Sequence, residues 1–279
     1  MLALTAVLGA CNHDTQSGAA KNAKHSQRDQ ATQSMALDLT AESARATLYK
    51  FNLPSHNPQS ISMIALEGES QVVRIYAVNR GMLPAQADSI PVYDTASSAS
   101  TINPAAAAIL AEPSTRLLFY ARRGAVSLQF PMGWGLPLRP DETVLAEVEW
   151  QATGATRHIQ IGVVEQTLKP LVPWVAETPS RSTLDAPAHV STTATIPGAH
   201  QIYWISLIAS QNLAPQSLRL NRVAVPLHFG ETQLQDFFVP ATGKPPQAAQ
   251  PVELTCTTQA TTDPTATADC GVFGYYYQP

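Results

Sequence analysis

Apolar and polar residues alternate over short stretches of this chain, most regularly between Leu117 and Trp150. Leu117 to Arg122 is aromatic and aliphatic, and Val126 to Phe130 resumes the every-second-residue pattern of a half-buried strand. The prolines and glycines from Pro131 to Gly135 predict a rigid turn. Thr143 to Trp150 then alternates again, with Val, Ala and Trp on one face and Leu and two Glu on the other. This pattern predicts a β-sandwich.

Strand patterns of the same kind recur elsewhere, at residues 48–54, 71–78, 158–164 and 195–210. We therefore predict an all-β fold of two tandem antiparallel β-sandwich domains, jelly-roll-like, over residues 38–165 and 166–279. Residues 94–115 are interpreted as a surface loop, with a helical turn between Pro104 and Pro113 as the alternative. The segment from Thr167 to Ala188, rich in Pro and polar residues, is interpreted as the linker between the domains.

Composition agrees with this fold and excludes some functions. Of 279 residues, 44% are hydrophobic and 14% charged, and 22 are Pro, which favours a loop-rich β architecture. A net charge of -4 and a pI near 6.0 give no basic footprint, so nucleic acid is excluded as a partner. No phosphate loop, Gly-x-Ser-x-Gly motif or paired His spacing supports other catalytic chemistry. His158, at a strand start, is interpreted as a surface residue.

The first eleven residues, MLALTAVLGAC, form a short apolar run that ends in small residues and Cys11. This run resembles a bacterial lipoprotein signal, in which the cysteine is lipidated, and the alternative is an incidental cysteine. The polar stretch over residues 12–37 is predicted to be a flexible tether. Asn12, in place of an aspartate after the cysteine, favours the outer membrane. The chain would then be membrane-anchored and face the periplasm or the cell surface.

The other two cysteines, Cys256 and Cys270, form an even pair in a protein assigned to the envelope. A disulfide between them would stabilise the fold by roughly 3 kcal/mol in the chain-entropy model. The alternatives are two free thiols or half of a metal site.

Three patches of the sequence together resemble one family. They are Phe130-Pro131-x-Gly133-x-Gly135-Leu136-Pro137, the strand Leu48 to Pro54, and the Cys256 and Cys270 hairpin with its Tyr run. They are similar to the copper type II, ascorbate-dependent monooxygenases, which include peptidylglycine α-hydroxylating and dopamine β-monooxygenases. The resemblance implies two β-sandwich domains, each of which carries one copper on His or Met side chains.

At the positions where this resemblance places copper ligands, the chain has other residues. Valine has no donor atom, and a guanidinium has no free lone pair. The sequence therefore predicts a degenerate member with no catalytic residue, no metal site and no cofactor. The positions are Val73, Arg74, Glu149, Ser206, Ile208 and Asp269.

Two functions remain open. The first is an envelope lipoprotein that has lost catalysis and serves as a binding or assembly module for a protein partner. Aromatic side chains would mark its contact surface, with core packing as the alternative for each; they are Trp134, Trp174, Trp204 and Tyr275 to Tyr277. The second function is an active copper- and ascorbate-dependent monooxygenase that hydroxylates a small or peptide substrate through displaced ligands.

Overall fold

A computed structural model describes the chain over residues 33–43, 45–53, 59–70, 72–84, 87–93, 101–122, 126–165, 167–181, 189–196, 201–209, 213–220, 223–225, 235–237, 250–258 and 267–277. These residues form eighteen strands, one α-helix and a 3₁₀ turn at Arg80–Met82. The strands and helix are β1 (Gln33–Thr40), β2 (Ala46–Lys50), β3 (Ser60–Gly68), β4 (Val72–Asn79), β5 (Ser89–Pro91), α1 (Pro104–Ala111), β6 (Arg116–Arg122), β7 (Val126–Gln129), β8 (Trp134–Pro137), β9 (Glu142–Glu149), β10 (Thr156–Val164), β11 (Lys169–Arg181), β12 (His189–Ile196), β13 (Gln201–Ala209), β14 (Leu213–Leu220), β15 (Val223–Val225), β16 (Gln235–Phe237), β17 (Gln250–Thr258) and β18 (Thr267–Tyr277).

The described strands form three sheets, and the fold is an all-β sandwich. A nine-stranded sheet has the order β1-β10-β3-β8-β11-β18-β13-β16, with β7 also paired to β3. A five-stranded sheet has the order β5-β2-β9-β4-β6, and a four-stranded sheet has the order β12-β17-β14-β15. The described pairings are antiparallel except that β8 and β11 run parallel. The predicted fold class is confirmed.

The main hydrophobic core lies between the five-stranded sheet and one part of the nine-stranded sheet. Strand β9 contributes Val144, Ala146 and Val148 to this core, as its alternation predicts. Leu145 points to the other face, where α1 and β5 cover a second apolar cluster. Strand β9 therefore contributes side chains to two apolar clusters, one on each face of the five-stranded sheet.

The four-stranded sheet packs against strand β18 of the nine-stranded sheet. On β17, Val252, Leu254 and Cys256 are buried, and on β18 Val272 is buried. Strands β12, β14 and β17 each contact β18. Strand β18 therefore has one face toward the four-stranded sheet.

The opposite face of β18 packs into the main core. The Tyr275 hydroxyl donates a hydrogen bond of 2.8 Å to the Leu118 carbonyl, and Tyr275 is fully buried. The Phe273 ring lies edge-on to Phe119 at 6.1 Å, and the Phe130 ring lies edge-on to Tyr275 at 5.4 Å. These contacts join the end of the chain to strands from its first half.

The loop predicted over residues 94–115 is wrong in part, because α1 occupies Pro104–Ala111. Pro104 begins the helix, where its missing N–H costs nothing. The Asn103 side chain accepts a hydrogen bond from the Ala105 N–H at 2.9 Å and caps the first turn. Ala106 and Ile109 are buried against the five-stranded sheet, and this packing stabilises a helix too short to persist alone.

The predicted turn and linker also contain strands. Strand β8 includes Gly135, whose absent side chain is required because a Cβ there would lie 2.7 Å from the Ile61 carbonyl oxygen. Strand β11 covers Lys169–Arg181 within the predicted linker. Among the described residues, β8 pairs only with Lys169 and Pro170 of β11. Beyond Pro170 this edge of β11 makes no pairing with β8, and proline is tolerated at such an edge because it has no N–H to donate.

The predicted tether over residues 12–37 is wrong for residues 33–37, because β1 begins at Gln33 and pairs with β10. The other predictions on domain organisation are not tested by these contacts. Cys11 lies outside the described residues. Cys256 is disulfide-bonded, and its pairing with Cys270 on β18 stays a prediction, as does the boundary between residues 165 and 166. No helix among the described residues is long and apolar enough to cross a membrane.

Candidate functional site

Two of the predicted ligand positions come together on neighbouring strands. Strands β4 and β9 pair antiparallel, which places Arg74 opposite Glu147 and Val72 opposite Glu149. Because side chains alternate along a strand, Val73 points into the main core and is 1% exposed, whereas Arg74 points to the other face. The outward face of β4 and β9 is therefore the place to look for chemistry.

Five side chains on this face form what we call the Arg74 cluster: Arg74, Tyr76, Tyr120, Glu147 and Glu149. The Arg74 Nη1 lies 2.6 Å from Glu149 Oε1 and 3.3 Å from Glu147 Oε1. The Tyr76 hydroxyl donates a hydrogen bond of 2.9 Å to Glu147 Oε2. The guanidinium carbon lies 4.8 Å from the centre of the Tyr120 ring, within cation–π range. One cation thus bridges two carboxylates and an aromatic ring.

The electrostatics of the cluster fix its protonation. Burial by itself lowers the pKa of Arg74, but the charges of Glu147 and Glu149 outweigh it, and the pKa of Arg74 is raised above its usual value. Burial, followed by the Glu147 charge, raises the pKa of Tyr76. Arg74 therefore remains a cation and Tyr76 remains a neutral hydrogen-bond donor at neutral pH.

The cluster is closed on one side and open on the other. The Glu147 side chain is 8% exposed, the Arg74 side chain 21% and the Glu149 side chain 33%. The apolar cluster under α1 adjoins it through the Tyr76 ring. Glu149 is therefore the member that can accept hydrogen bonds from an external group, while Glu147 holds the inner charges together.

The sequence did not single out Glu147, Tyr76 or Tyr120. The signal that could have found Glu147 is its spacing of two residues from Glu149, which puts both carboxylates on one face of β9. A second buried carboxylate was also missed. Glu142 accepts hydrogen bonds of 3.0 and 2.6 Å from Arg116 Nε and Nη2 and one of 2.7 Å from the Arg139 N–H. This fork holds the start of β9 and leaves Glu142 inaccessible.

The three remaining predicted positions lie in the second half of the chain. Ser206 and Ile208 lie two residues apart on β13, and Asp269 lies on the adjacent strand β18. In the register of these strands, Ser206 is opposite Phe273 and Ile208 is opposite Gly271. Their side chains lie outside what the structure describes, so the backbone places the three on neighbouring strands and no contact among them is stated.

The described residues contain no group of three or more His, Cys, Asp or Glu side chains positioned to hold a metal ion. His158, predicted to be a surface residue, is partly exposed, and its Nδ1 lies 2.7 Å from Asp38 Oδ1 across β1 and β10. Under the alternative of an enzyme with displaced ligands, His200 and His228 would have to lie beside Asp269, and both lie outside the described residues.

A small open cavity of about 170 Å³ lies at the end of β2. Its lining includes two cationic side chains, Lys50 and Arg80, and Arg80 Nε donates a hydrogen bond of 2.8 Å to the Glu142 carbonyl. The cavity is smaller than the roughly 300–1,000 Å³ of typical ligand pockets. Its other lining residues are Phe51, Asn52, Leu53, Leu83 and Thr143.

A second outer surface, which we call the Met132 patch, consists of Met132, Trp134, Leu168, Lys169 and Tyr277. Met132 is 80% exposed and Leu168 is 78% exposed. The Trp134 ring lies 5.1 Å from the Tyr277 ring and 4.8 Å from the Lys169 Nζ. The patch therefore combines two projecting apolar side chains with a base of two aromatic rings and one cation.

Backbone hydrogen bonds fix this patch. The Trp134 N–H donates to the Pro131 carbonyl at 2.9 Å, and Gly133 between them has a φ of +81°, a conformation that favours glycine. The Leu168 and Lys169 N–H groups both donate to the Gly133 carbonyl at 2.8 Å. The turn that carries Met132 and the segment that carries Leu168 are thus held side by side.

The aromatic residues named from the sequence have different positions. Trp134 and Tyr277 are partly buried, pack against the main core and also contribute to the Met132 patch. Tyr275 lies fully in the core, as the alternative interpretation holds, and Tyr276 is partly buried. Trp174 is partly exposed, but its Nε1 is buried and has no hydrogen-bond partner among the described residues. The Trp204 side chain lies outside what is described.

No family model and no curated protein matches the chain. Among solved structures, N-glycanase F (PNGase F) is similar over 88% of this chain and 95% of that one, at 9% identity and a TM-score of 0.38. PNGF-II covers 87% of this chain at 10% identity and a TM-score of 0.35, with 64% of its own length matched. The major capsid protein P2 of bacteriophage PM2 covers 88% of this chain at 10% identity and a TM-score of 0.34, with 97% matched. Similarity at this level establishes neither a family nor a function.

Proposed function

We propose that this chain is an envelope lipoprotein, anchored through Cys11, whose β-sandwich is a non-catalytic binding or assembly module. Under this proposal the copper monooxygenase scaffold is retained without its metal chemistry. The observation that carries the proposal is the 2.6 Å contact between Arg74 and Glu149, two residues at positions where the resemblance places copper ligands.

The chemistry of this contact argues against copper at that place. The Arg74 guanidinium is a permanent cation with no lone pair, and its position beside Glu149 would repel a copper ion. Val73, at the adjacent position, contributes only hydrocarbon to the core. To free Glu149 as a ligand would require breaking a partly buried ion pair, which leaves Arg74 with one carboxylate fewer.

Copper binding and turnover of the purified protein test the loss of catalysis. We expect well below one copper per chain after incubation with Cu(II) and dialysis, and no ascorbate-dependent oxygen consumption above a buffer control. The matched variant Arg74→Ala reports whether the bridging cation blocks a metal at Glu147 and Glu149. Stoichiometric copper in the parent chain together with ascorbate-driven oxygen consumption would establish the monooxygenase alternative and end this proposal.

Metabolic labelling with radioactive palmitate tests the anchor. We expect label on the parent chain, none on Cys11→Ser, and recovery of the labelled parent with outer-membrane fractions. Equal labelling of both chains, or none on either, would remove the anchor from the proposal. Cross-linking in intact cells, with capture in the presence of detergent, would then identify the protein partner that an assembly role requires.

A further inference from the structure

The Met132 patch is built to expose apolar side chains. Met132 and Leu168 are 80% and 78% exposed, the highest values among the exposed large apolar side chains of the described residues. The backbone segments that carry them are held side by side, because the Leu168 and Lys169 N–H groups both donate to the Gly133 carbonyl. Transferring two such side chains from water to an apolar environment would be favourable.

We propose that the Met132 patch docks on the surface of the lipid bilayer, with Met132 and Leu168 inserted among the acyl chains. This inference rests on the proposed function, because the lipid anchor on Cys11 would hold the protein at that bilayer. It adds that the folded domain has a fixed orientation on the membrane, with the patch facing the lipid.

The side chains of the patch match the layers of a membrane interface. Met132 and Leu168 project furthest and are apolar. The Trp134 and Tyr277 rings, tilted against each other with their centres 5.1 Å apart, are of the types that favour the headgroup level because they combine an apolar body with a polar end. Lys169, above the Trp134 ring, supplies a cation for anionic headgroups. A projecting apolar pair fits a deformable lipid surface better than a pocket on a protein.

The predicted anchor can reach this surface. Strand pairings connect Gln33 to Val163, Val163 to Ile61 and Ile61 to Leu136, and Gly135 of the same strand is opposite Pro170. With about 4.8 Å per strand, the start of β1 lies roughly 20 Å from the patch. The 21 residues between Cys11 and Gln33 can span up to about 70 Å when extended. The anchor and the patch can therefore contact the same bilayer.

Binding to lipid vesicles without the acyl anchor tests the inference. The full chain carrying Cys11→Ser is mixed with vesicles of phosphatidylethanolamine and phosphatidylglycerol, and bound protein is measured by co-sedimentation. We expect the further changes Met132→Asp and Leu168→Asp to weaken binding at least about tenfold. Lys169→Gln should weaken binding to these vesicles while leaving binding to phosphatidylcholine vesicles unchanged.

The matched control is Ile102→Asp, which places the same charge outside the patch. Ile102 is apolar, 51% exposed and lies two residues before α1. It should bind vesicles as the Cys11→Ser parent does, and far-UV circular dichroism should be the same for all variants. If the aspartate variants bind as well as the parent, or if the unlipidated parent does not bind, the inference is wrong, even where palmitate labelling upholds the anchor. If the patch changes abolish capture of a protein partner or self-association and leave vesicle binding intact, the patch is a protein interface instead.

Discussion

The Arg74 cluster and the Met132 patch lie on different outer surfaces. The main side chains of the first are paired with one another, whereas the main side chains of the second are exposed to solvent. In the Arg74 cluster, both carboxylates have a charged partner within 3.3 Å, and Glu149 is the more exposed of the two. In the Met132 patch, backbone hydrogen bonds hold the turn, but the side chains of Met132 and Leu168 are exposed to solvent. A polar cluster whose members pair with one another mainly stabilises the fold, whereas a surface with exposed large apolar side chains favours an external contact.

Removing Glu147, the inner carboxylate of the Arg74 cluster, should lower the free energy of unfolding more than any other change to the two regions. Glu147→Ala leaves Arg74 with only the more exposed Glu149 and leaves the Tyr76 hydroxyl without its acceptor, so we expect a loss of about 3 kcal/mol in the free energy of unfolding. Urea denaturation measures it. Glu149→Ala is the matched control, with an expected loss of about 1 kcal/mol because that side chain is more exposed. Equal losses would mean that burial does not rank the two ion pairs.

Crowding the backbone behind the Met132 patch should have the next largest effect. In Gly135→Ala the new Cβ would lie 2.7 Å from the Ile61 carbonyl oxygen and 2.8 Å from Thr167 Cγ2, so we expect a loss of about 2 kcal/mol. Gly154→Ala, which has open space but a φ of +81°, should cost about 1 kcal/mol. If Gly135→Ala unfolds at the same urea concentration as the parent, β8 is not held against β3 as described.

Alkaline pH should weaken the protein through its buried hydroxyls. Burial raises the pKa of Tyr275 and of Tyr76, so above pH about 10 the unfolded chain loses these two protons while the folded chain keeps them, and stability falls. Burial lowers the pKa of Arg157 to about 10, which acts in the opposite direction for one proton. The folded chain therefore holds a net of one proton more than the unfolded chain, which predicts that the free energy of unfolding falls by about 1.4 kcal/mol per pH unit.

Thermal melts between pH 10 and 12 measure that slope. Tyr275→Phe removes one of the two hydroxyls and should bring the slope close to zero, although the variant will be less stable at every pH because the Leu118 carbonyl loses its donor. A slope that is unchanged in Tyr275→Phe would show that the buried hydroxyl does not control the alkaline limit.

The smallest effect on stability should come from the Met132 patch itself. Met132→Ser and Leu168→Ser change side chains that are about four-fifths exposed, so we expect changes within about 0.5 kcal/mol in the free energy of unfolding. Ile109→Ser, in a buried position under α1, is the contrasting variant and should cost several times more. Substantial unfolding of the Met132 variant would place that side chain against the protein and weaken the case for an external contact.

Local pattern predicted the strands well where one face is buried. The alternation from Thr143 to Trp150 assigned both faces of β9, and the strands predicted at residues 71–78 and 158–164 are found as β4 and β10. It failed in two places. The Ala-rich run of α1 was interpreted as a loop, although its propensity and the burial of Ala106 and Ile109 against the sheet both favour a helix. Strand β11 was interpreted as a linker, although Pro173 and Pro179 lie beyond the two residues that pair with β8.

The candidate site could be predicted only in part. Arg74 and Glu149 were named as equivalents of ligand positions, and the structure brings them together. Their partner Glu147 depends on a pairing of β4 with β9, in which Arg74 lies opposite a residue 73 positions later. Trp134 and Tyr277 were named as aromatic contacts. Met132 and Leu168 were not, since their exposure depends on where two distant turns meet, and composition does not encode that.

The position of β18 has a consequence for how the protein is made. It pairs with β11 and β13 and places Phe273 and Tyr275 in the core of the first-half strands, although it is the last described strand to leave the ribosome. A nascent chain that stops short of this strand leaves Leu118 and Phe119 without their covering rings. Final closure of the core must therefore wait until β18 has been synthesised, so the strands of the first half stay incompletely covered until then.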